Sequence, residues 1–415
     1  MIERKSFVLA IAGTLARQVA SGLLALATVV LVARLLGPEG NGAYAVALLL
    51  PGMLATFLNL GVSSANVYYL ASRRIDLRTA FAVTFFISGL CSLVGLVVGG
   101  VICVFLRDAL FPGIALEALL LALASFPFVL CLQAAGGLMQ GLQDFRAFNL
   151  TLLAPPLVTL VGVCALAILG RFDLTGVIAC YLCGQVVGVV VTTTLLVRRP
   201  SWATVAPTRK RRHYLSEVLG YGLKAYASNV VTFFNYRTDL FLVNFFLGPS
   251  AAGIYVMAMQ FGEKLWLFSQ AVSTVFLPKV SELAHNDVER QRLTPRIAQW
   301  TFLLTLAAAL LLALVSGPLL TFLVGPDFSE ATWVLLLLLP GIVAWAPARI
   351  LANDIAGRGK PEINLRIAIL VMVVNLLGNL ILIPIIGLTG AAMATVISYC
   401  LMLLLTSVFY RKSAL

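Results

Sequence analysis

The chain has 415 residues, of which 61% are hydrophobic and only 11% charged; 29 Lys and Arg outnumber 17 Asp and Glu, for a net charge of +12. Soluble domains carry about 25% charged residues, so this chain cannot cover its own surface with polar groups, and lipid must be the solvent for much of it. Segments of about ten residues with period-2 alternation are absent, which excludes a membrane barrel and leaves helices as the way to satisfy the backbone in hydrocarbon.

Splitting the apolar runs at charge, Gly and Pro predicts twelve membrane-spanning helices, at 7–36, 43–70, 79–106, 115–139, 148–170, 174–197, 216–247, 251–278, 297–323, 331–353, 363–386 and 388–410. Met1-Ile2-Glu3-Arg4-Lys5 begins like a signal peptide, but the apolar run continues to Leu36, well past the roughly 7–15 residues of such a segment. A retained first helix is expected. At Leu36-Gly37-Pro38, Gly37 can take the left-handed conformation that closes a helix and Pro38 stops its continuation, which predicts a tight hairpin. Gly95-x-x-x-Gly99 and Gly137-x-x-x-Gly141 mark close helix packing. The seven cysteines, including Cys180 and Cys183, all fall in apolar runs, and the two histidines, His213 and His285, sit in charged loops. The cysteines read as small buried residues, and no metal or cofactor is expected.

The chain also repeats itself. Leu36-Gly37-Pro38…Gly42-Ala43-Tyr44 recurs 211 residues later as Leu247-Gly248-Pro249…Gly253-Ile254-Tyr255, and Leu174-Thr175-Gly176 recurs 214 residues later as Leu388-Thr389-Gly390. A looser echo links Gln140-Gly141…Asn149 with Ala356-Gly357…Asn364. Six spans per repeat is an even number, so the copies share one orientation, as in parallel-repeat transporters. The division is an N-terminal lobe at 1–197, a basic cytoplasmic linker at 198–216 and a C-terminal lobe at 217–415.

Orientation follows from the cations. The side holding both termini carries Arg4 and Lys5, Arg73, Arg74 and Arg78, Arg146, the linker cluster around Arg209-Lys210-Arg211-Arg212, four cations from Lys279 to Arg296, Arg358 and Lys360, and Arg411 and Lys412. The opposite side carries only Arg107 and Arg171. This bias places both termini in the cytoplasm. The net charge is therefore topogenic and faces anionic headgroups rather than nucleic acid.

Charge inside the spans points to function. A charge at the centre of an inserted helix costs about 2.5–3.5 kcal/mol, so such residues face a cavity or a partner. Arg17 lies ten residues into the first span, about 15 Å deep. Lys224, Arg237 and Asp239 interrupt the seventh span, and Glu263 and Lys264 the eighth. The four cations outnumber the two anions, and guanidinium forks suit phosphate. Arg34 and Arg349, near span ends, read as interfacial anchors. Asn59, Asn66, Gln133, Asn229, Asn235 and Gln270 are polar enough to line a sugar-sized cavity or to hold helices together.

These residues resemble a known family. Arg17…Ala33-Arg34-Leu35-Leu36-Gly37-Pro38…Gly42-x-Tyr44 and Leu58-Asn59-Leu60-Gly61-Val62 look like the first two helices of polysaccharide (lipid-linked oligosaccharide) flippases of the multidrug/oligosaccharidyl-lipid/polysaccharide exporter superfamily. Asn235-Tyr236-Arg237-Thr238-Asp239, Leu247-Gly248-Pro249…Gly253-x-Tyr255 and Val275-Phe276-Leu277-Pro278-Lys279-Val280-Ser281 agree. The resemblance implies an all-α integral membrane protein with a V-shaped pair of six-helix lobes. Its implied activity is the flipping of undecaprenyl-pyrophosphate-linked oligosaccharide across the bacterial inner membrane by alternating access, without enzymatic chemistry. Carried over residue by residue, Arg17, Lys224, Arg237 and Lys264 are counter-charges for the pyrophosphate. Asp239 or Glu263 are candidates for H+ or Na+ coupling, and Asn59 and Asn235 are polar positions in the cavity. Implied partners are the lipid-linked oligosaccharide, membrane lipids and polysaccharide polymerase or assembly proteins.

Two rivals remain. A multidrug extrusion antiporter of the same superfamily shares the helices, but a net positive cavity repels the cationic drugs such proteins export. A glycan polymerase needs a long outward loop with acids, His or Arg, whereas every outward loop here is about nine residues or fewer and lacks His.

Overall fold

The computed structural model describes residues 2–72, 74–199, 211–270, 272–273, 276, 287–358 and 360–414, and all regular structure among them is helical. In chain order the helices are α1 (Ile2–Leu58), α2 (Val62–Ala71), α3 (Leu77–Phe105), the single turn α4 (Arg107–Leu110), α5 (Leu116–Gly141), α6 (Phe145–Ile168) and α7 (Leu174–Val197). They continue with α8 (Arg211–Gly262), α9 (Asp287–Val324), α10 (Ser329–Gly357) and α11 (Pro361–Ala414). The side chains of 2–15, Lys224 and Asn229, the linker stretch 200–210 and the segment 277–286 with its Leu277-Pro278-Lys279 motif and His285 lie outside the described residues.

Nine helices among the described residues are long and apolar enough to cross a membrane. Three of them bend at a glycine: α1 at Gly37 (φ 68°), α8 at Gly248 (φ 83°) and α11 at Gly387 (φ 62°). Each bend divides its helix into two spans, so the nine supply the twelve expected. A side chain at these φ values would clash with the backbone, which glycine avoids. Proline follows two of the three bends and starts the next helix, since it lacks the N–H that a first helical turn leaves unpaired anyway.

One expected span differs. The run 43–70 reads as continuous, yet the helix stops at Leu58 and restarts at Val62, with Leu60 (φ 50°) and Gly61 (φ 70°) both left-handed. Three other helix starts are set by side chains. Asp76, Asp144 and Asp173 each accept a backbone N–H three residues on, from Thr79, Ala147 and Gly176, satisfying donors that the first turn leaves open. Asp144 also pairs with Arg199 at the end of α7. Burial opposes its charge, but the Ala147 amide and the Arg199 guanidinium outweigh that and hold the carboxyl below its ordinary value.

The chain forms two compact units, one of Met1–Leu36 with Ala43–Phe233, the other of Gly37–Gly42 with Phe234–Leu415. In the first, α5 is central and packs on α2, α3, α6 and α7. A Cβ on Gly95 would press on Phe126 and one on Gly99 on Leu123, while Gly137 and Gly141 lie against the α2 backbone at Ser63 and Asn66. In the second, α10 packs between α9 and α11 and buries Leu335, Leu338, Ile342 and Ala346. A further cluster there ties Asp354, fully buried, to Arg290 at 3.7 Å, and to Arg358 and Thr294.

Candidate functional site

In the second unit, two residues of α8 separated by one position face different surroundings, because adjacent helical positions turn about 100°. Arg237 is half-exposed, and its guanidinium lies 4.0 Å from the mostly buried Glu263 carboxylate. Asp239 is buried and accepts the Tyr255 hydroxyl at 2.6 Å and the Leu240 N–H at 2.8 Å. The Tyr255 hydroxyl also lies 3.3 Å from Thr395 Oγ1. Glu263, Lys264 and Leu265 form a 3-10 turn that interrupts the α-helical pitch, and Lys264 Nζ donates to Gln260 Oε1 at 3.2 Å. Asn235 Nδ2 donates to the Ala368 carbonyl at 3.3 Å.

An aromatic cluster abuts these charges. Trp266 stacks on Trp345 with centroids 4.7 Å apart, and Tyr236 and Tyr399 lie at 5.3 and 6.0 Å from Trp266. Arg349, expected as an interfacial anchor, lies over the Trp345 ring at 5.1 Å, a cation–π distance. Depth along the chain places it near a span end and says nothing of helix rotation. The signal available was its i,i+4 spacing from Trp345, which puts both on one helical face. The cluster thus holds Arg237, Lys264 and Arg349 against the two carboxylates of Glu263 and Asp239, a surplus of one cation that suits an anion.

In the first unit, Arg17 of α1 is half-buried beside Phe148, 5.9 Å from its ring centroid, with Nε buried and without a hydrogen-bond partner. Asn59 sits in the break between α1 and α2 and donates to Gln133 Oε1 at 3.0 Å. Asn66 is fully buried, donating to Thr84 at 2.8 Å and accepting from the Tyr214 hydroxyl at 3.1 Å, so its bonds serve packing.

Twelve apolar spans among the described residues, with cations held inside them, define a multi-pass membrane protein. The sequence comparison is specific: residues 31–332 match the polysaccharide biosynthesis protein family, and the chain belongs to it. It is 26% identical over 219 residues to a Haloferax volcanii protein named probable low-salt glycan biosynthesis flippase Agl15, covering 51% of this chain and 45% of that one. It is 27% identical over 148 residues to the Staphylococcus aureus capsular polysaccharide biosynthesis protein CapF, covering 35% and 37%. The chain thus spans less than half the length of these curated relatives. Among solved structures, the lipid II flippase MurJ in an inward closed conformation matches with a TM-score of 0.78 at 18% identity, over 95% of this chain and 87% of that one. An inward-facing multidrug resistance MATE family transporter of the MOP superfamily matches at 0.77 and 18%, over 95% and 94%. These likenesses show that the chain shares the all-α fold of those two structures.

Proposed function

We propose that this protein flips undecaprenyl-pyrophosphate-linked oligosaccharide across the bacterial cytoplasmic membrane during surface polysaccharide assembly, by alternating access and without making or breaking a covalent bond. The observation that carries the reading is the surplus of cations within apolar spans: Arg17 in the first unit, and Arg237, Lys264 and Arg349 around Glu263 in the second. A cation there is costly unless something anionic compensates it, and a pyrophosphate offers oxygens that guanidinium groups bind in pairs. Relatives named for glycan flipping and capsular polysaccharide synthesis support the same substrate class.

In this mechanism the pyrophosphate enters from the cytoplasmic leaflet and displaces Glu263 from Arg237, while the polyprenyl tail stays in the bilayer. Lys224 adds charge from α8, and Asn59 and Asn235 offer polar groups to the glycan. Glu263, once displaced, accepts H+ or Na+, which couples its occupancy to the substrate; Asp239 is the alternative coupling carboxylate. Polymerase and assembly proteins take up the product on the outer face.

Arg17→Ala and Arg237→Ala are each expected to abolish flipping while leaving membrane insertion normal. The readout is lipid-linked precursor accumulating on the cytoplasmic leaflet of cells that depend on the variant. Full flipping in both variants would remove the proposed headgroup site. Deletion of the protein that leaves surface glycan unchanged but sensitises cells to cationic dyes would point to multidrug extrusion instead.

A further inference from the structure

The two Leu-Gly-Pro turns are explained as turns by Gly37 and Gly248, whose left-handed φ the bends require. The turns do not explain Gly42 and Gly253, which recur 211 residues apart in the same repeat and are not among the glycines with positive φ. Their surroundings supply the reason. A Cβ on Gly42 would overlap the Pro249 carbonyl oxygen and come within 2.7 Å of the Gly253 nitrogen. A Cβ on Gly253 would overlap the Pro38 carbonyl oxygen and come within 2.8 Å of the Gly42 nitrogen. The two copies of the motif therefore meet each other reciprocally, backbone on backbone, which groups Gly37–Gly42 with the second unit. One buried polar side chain bonds across this contact. Asn41, fully buried, donates to the Gly253 carbonyl at 3.1 Å, while its Oδ1 is buried and unpartnered; the equivalent residue in the second copy is Ala252.

We propose that the repeated motif is a self-complementary seal: the two turns dock to close the outer side of the transport path, and glycine at 42 and 253 is what permits closure. The inference rests on the alternating-access reading and on the cytoplasmic placement of the termini, which puts both turns outside. Neighbouring backbone cannot swing aside as a side chain can, so any side chain at 42 or 253 holds the turns apart. The seal is also built to open. Its side-chain bond leaves one acceptor of Asn41 unsatisfied, and that acceptor regains water when the turns part.

The test is a distance. Glu39 and Ser250, exposed and equivalent in the two copies, are replaced by spin-labelled cysteines in a cysteine-free background, and the pair is measured by pulsed electron resonance in liposomes without substrate. The otherwise unaltered protein is expected to show a short-distance population. Gly42→Ala and Gly253→Ala are expected to abolish it, whereas Gly52→Ala, with no atom within 4 Å of the added carbon, keeps it. Should both glycine variants fail to fold, Asn41→Ala removes a single hydrogen bond and should lower the short-to-long ratio about two- to tenfold. An unchanged distribution in Asn41→Ala and in whichever glycine variants fold overturns the seal. Because no substrate is present, that outcome leaves the flippase reading standing, and loss of flipping activity alone would not count for the seal.

Discussion

Asp239 and Tyr255 form a buried pair whose worth is measurable at the level of single atoms. Asp239 Oδ2 receives the Tyr255 hydroxyl at 2.6 Å, whereas the Tyr255–Thr395 contact is longer at 3.3 Å. Removing a donor from a buried carboxyl leaves an unsatisfied acceptor and costs about 1–3 kcal/mol. Tyr255→Phe should therefore lower the thermal unfolding midpoint in detergent clearly, and Thr395→Val by less. Equal shifts, or none, would show that Tyr255 does not hold Asp239. At this scale the sequence is informative about charge and silent about aromatics. Arg237, Asp239, Glu263 and Lys264 stand out because an ionisable group in an apolar run is costly wherever the helix faces. Trp266, Trp345 and Tyr399 are ordinary members of such runs, and only tertiary contact makes them neighbours of those charges. Arg349 needed both its depth and its rotation to be known, and the sequence supplies only the first.

At the scale of elements, glycine serves two separate purposes, and they predict different sensitivities. Gly37, Gly248 and Gly387 supply backbone angles; Gly95, Gly99, Gly137 and Gly141 supply proximity. The proximity set is not uniform. A Cβ on Gly137 would meet Ser63 Cα at 2.7 Å, whereas one on Gly99 would meet the flexible ends of Leu123 and Leu54. Backbone must move as a whole helix, and side chains can change rotamer, so Gly137→Ala should destabilise by about 1–3 kcal/mol and Gly99→Ala by less. Denaturant titration of helix content in detergent would rank them; the reverse order would mean that α2 yields more readily than the leucines. The turns between spans were legible because Gly-Pro and Gly carry their backbone preference in their covalent structure. The break at Asn59-Leu60-Gly61 was not, since Leu60 is left-handed without a side chain that favours it, and the composition there is continuous.

For the whole molecule, the even number of spans and the distribution of cations together predict an orientation that can be checked independently of substrate. Among the described residues three bends turn nine long helices into twelve spans, which predicts that the two termini share a side. The cations of the connecting segments then decide which side that is. A fluorescent reporter on the C-terminus should be bright, as it folds only in the cytoplasm, and alkaline phosphatase fused there should be inactive. Phosphatase inserted at Gly113, in the outward turn between α4 and α5, should be active. The bias is also redundant, because the cationic loops recur along the chain rather than concentrating in one. Replacing Arg73, Arg74 and Arg78 by alanine should therefore leave both reporters unchanged. Adding several lysines beside Arg171 opposes the neighbouring loops directly and should perturb the spans on either side. If the alanine variant alone inverted the reporters, the first cytoplasmic loop would be dictating orientation, and the later loops, despite their greater charge, would be following it.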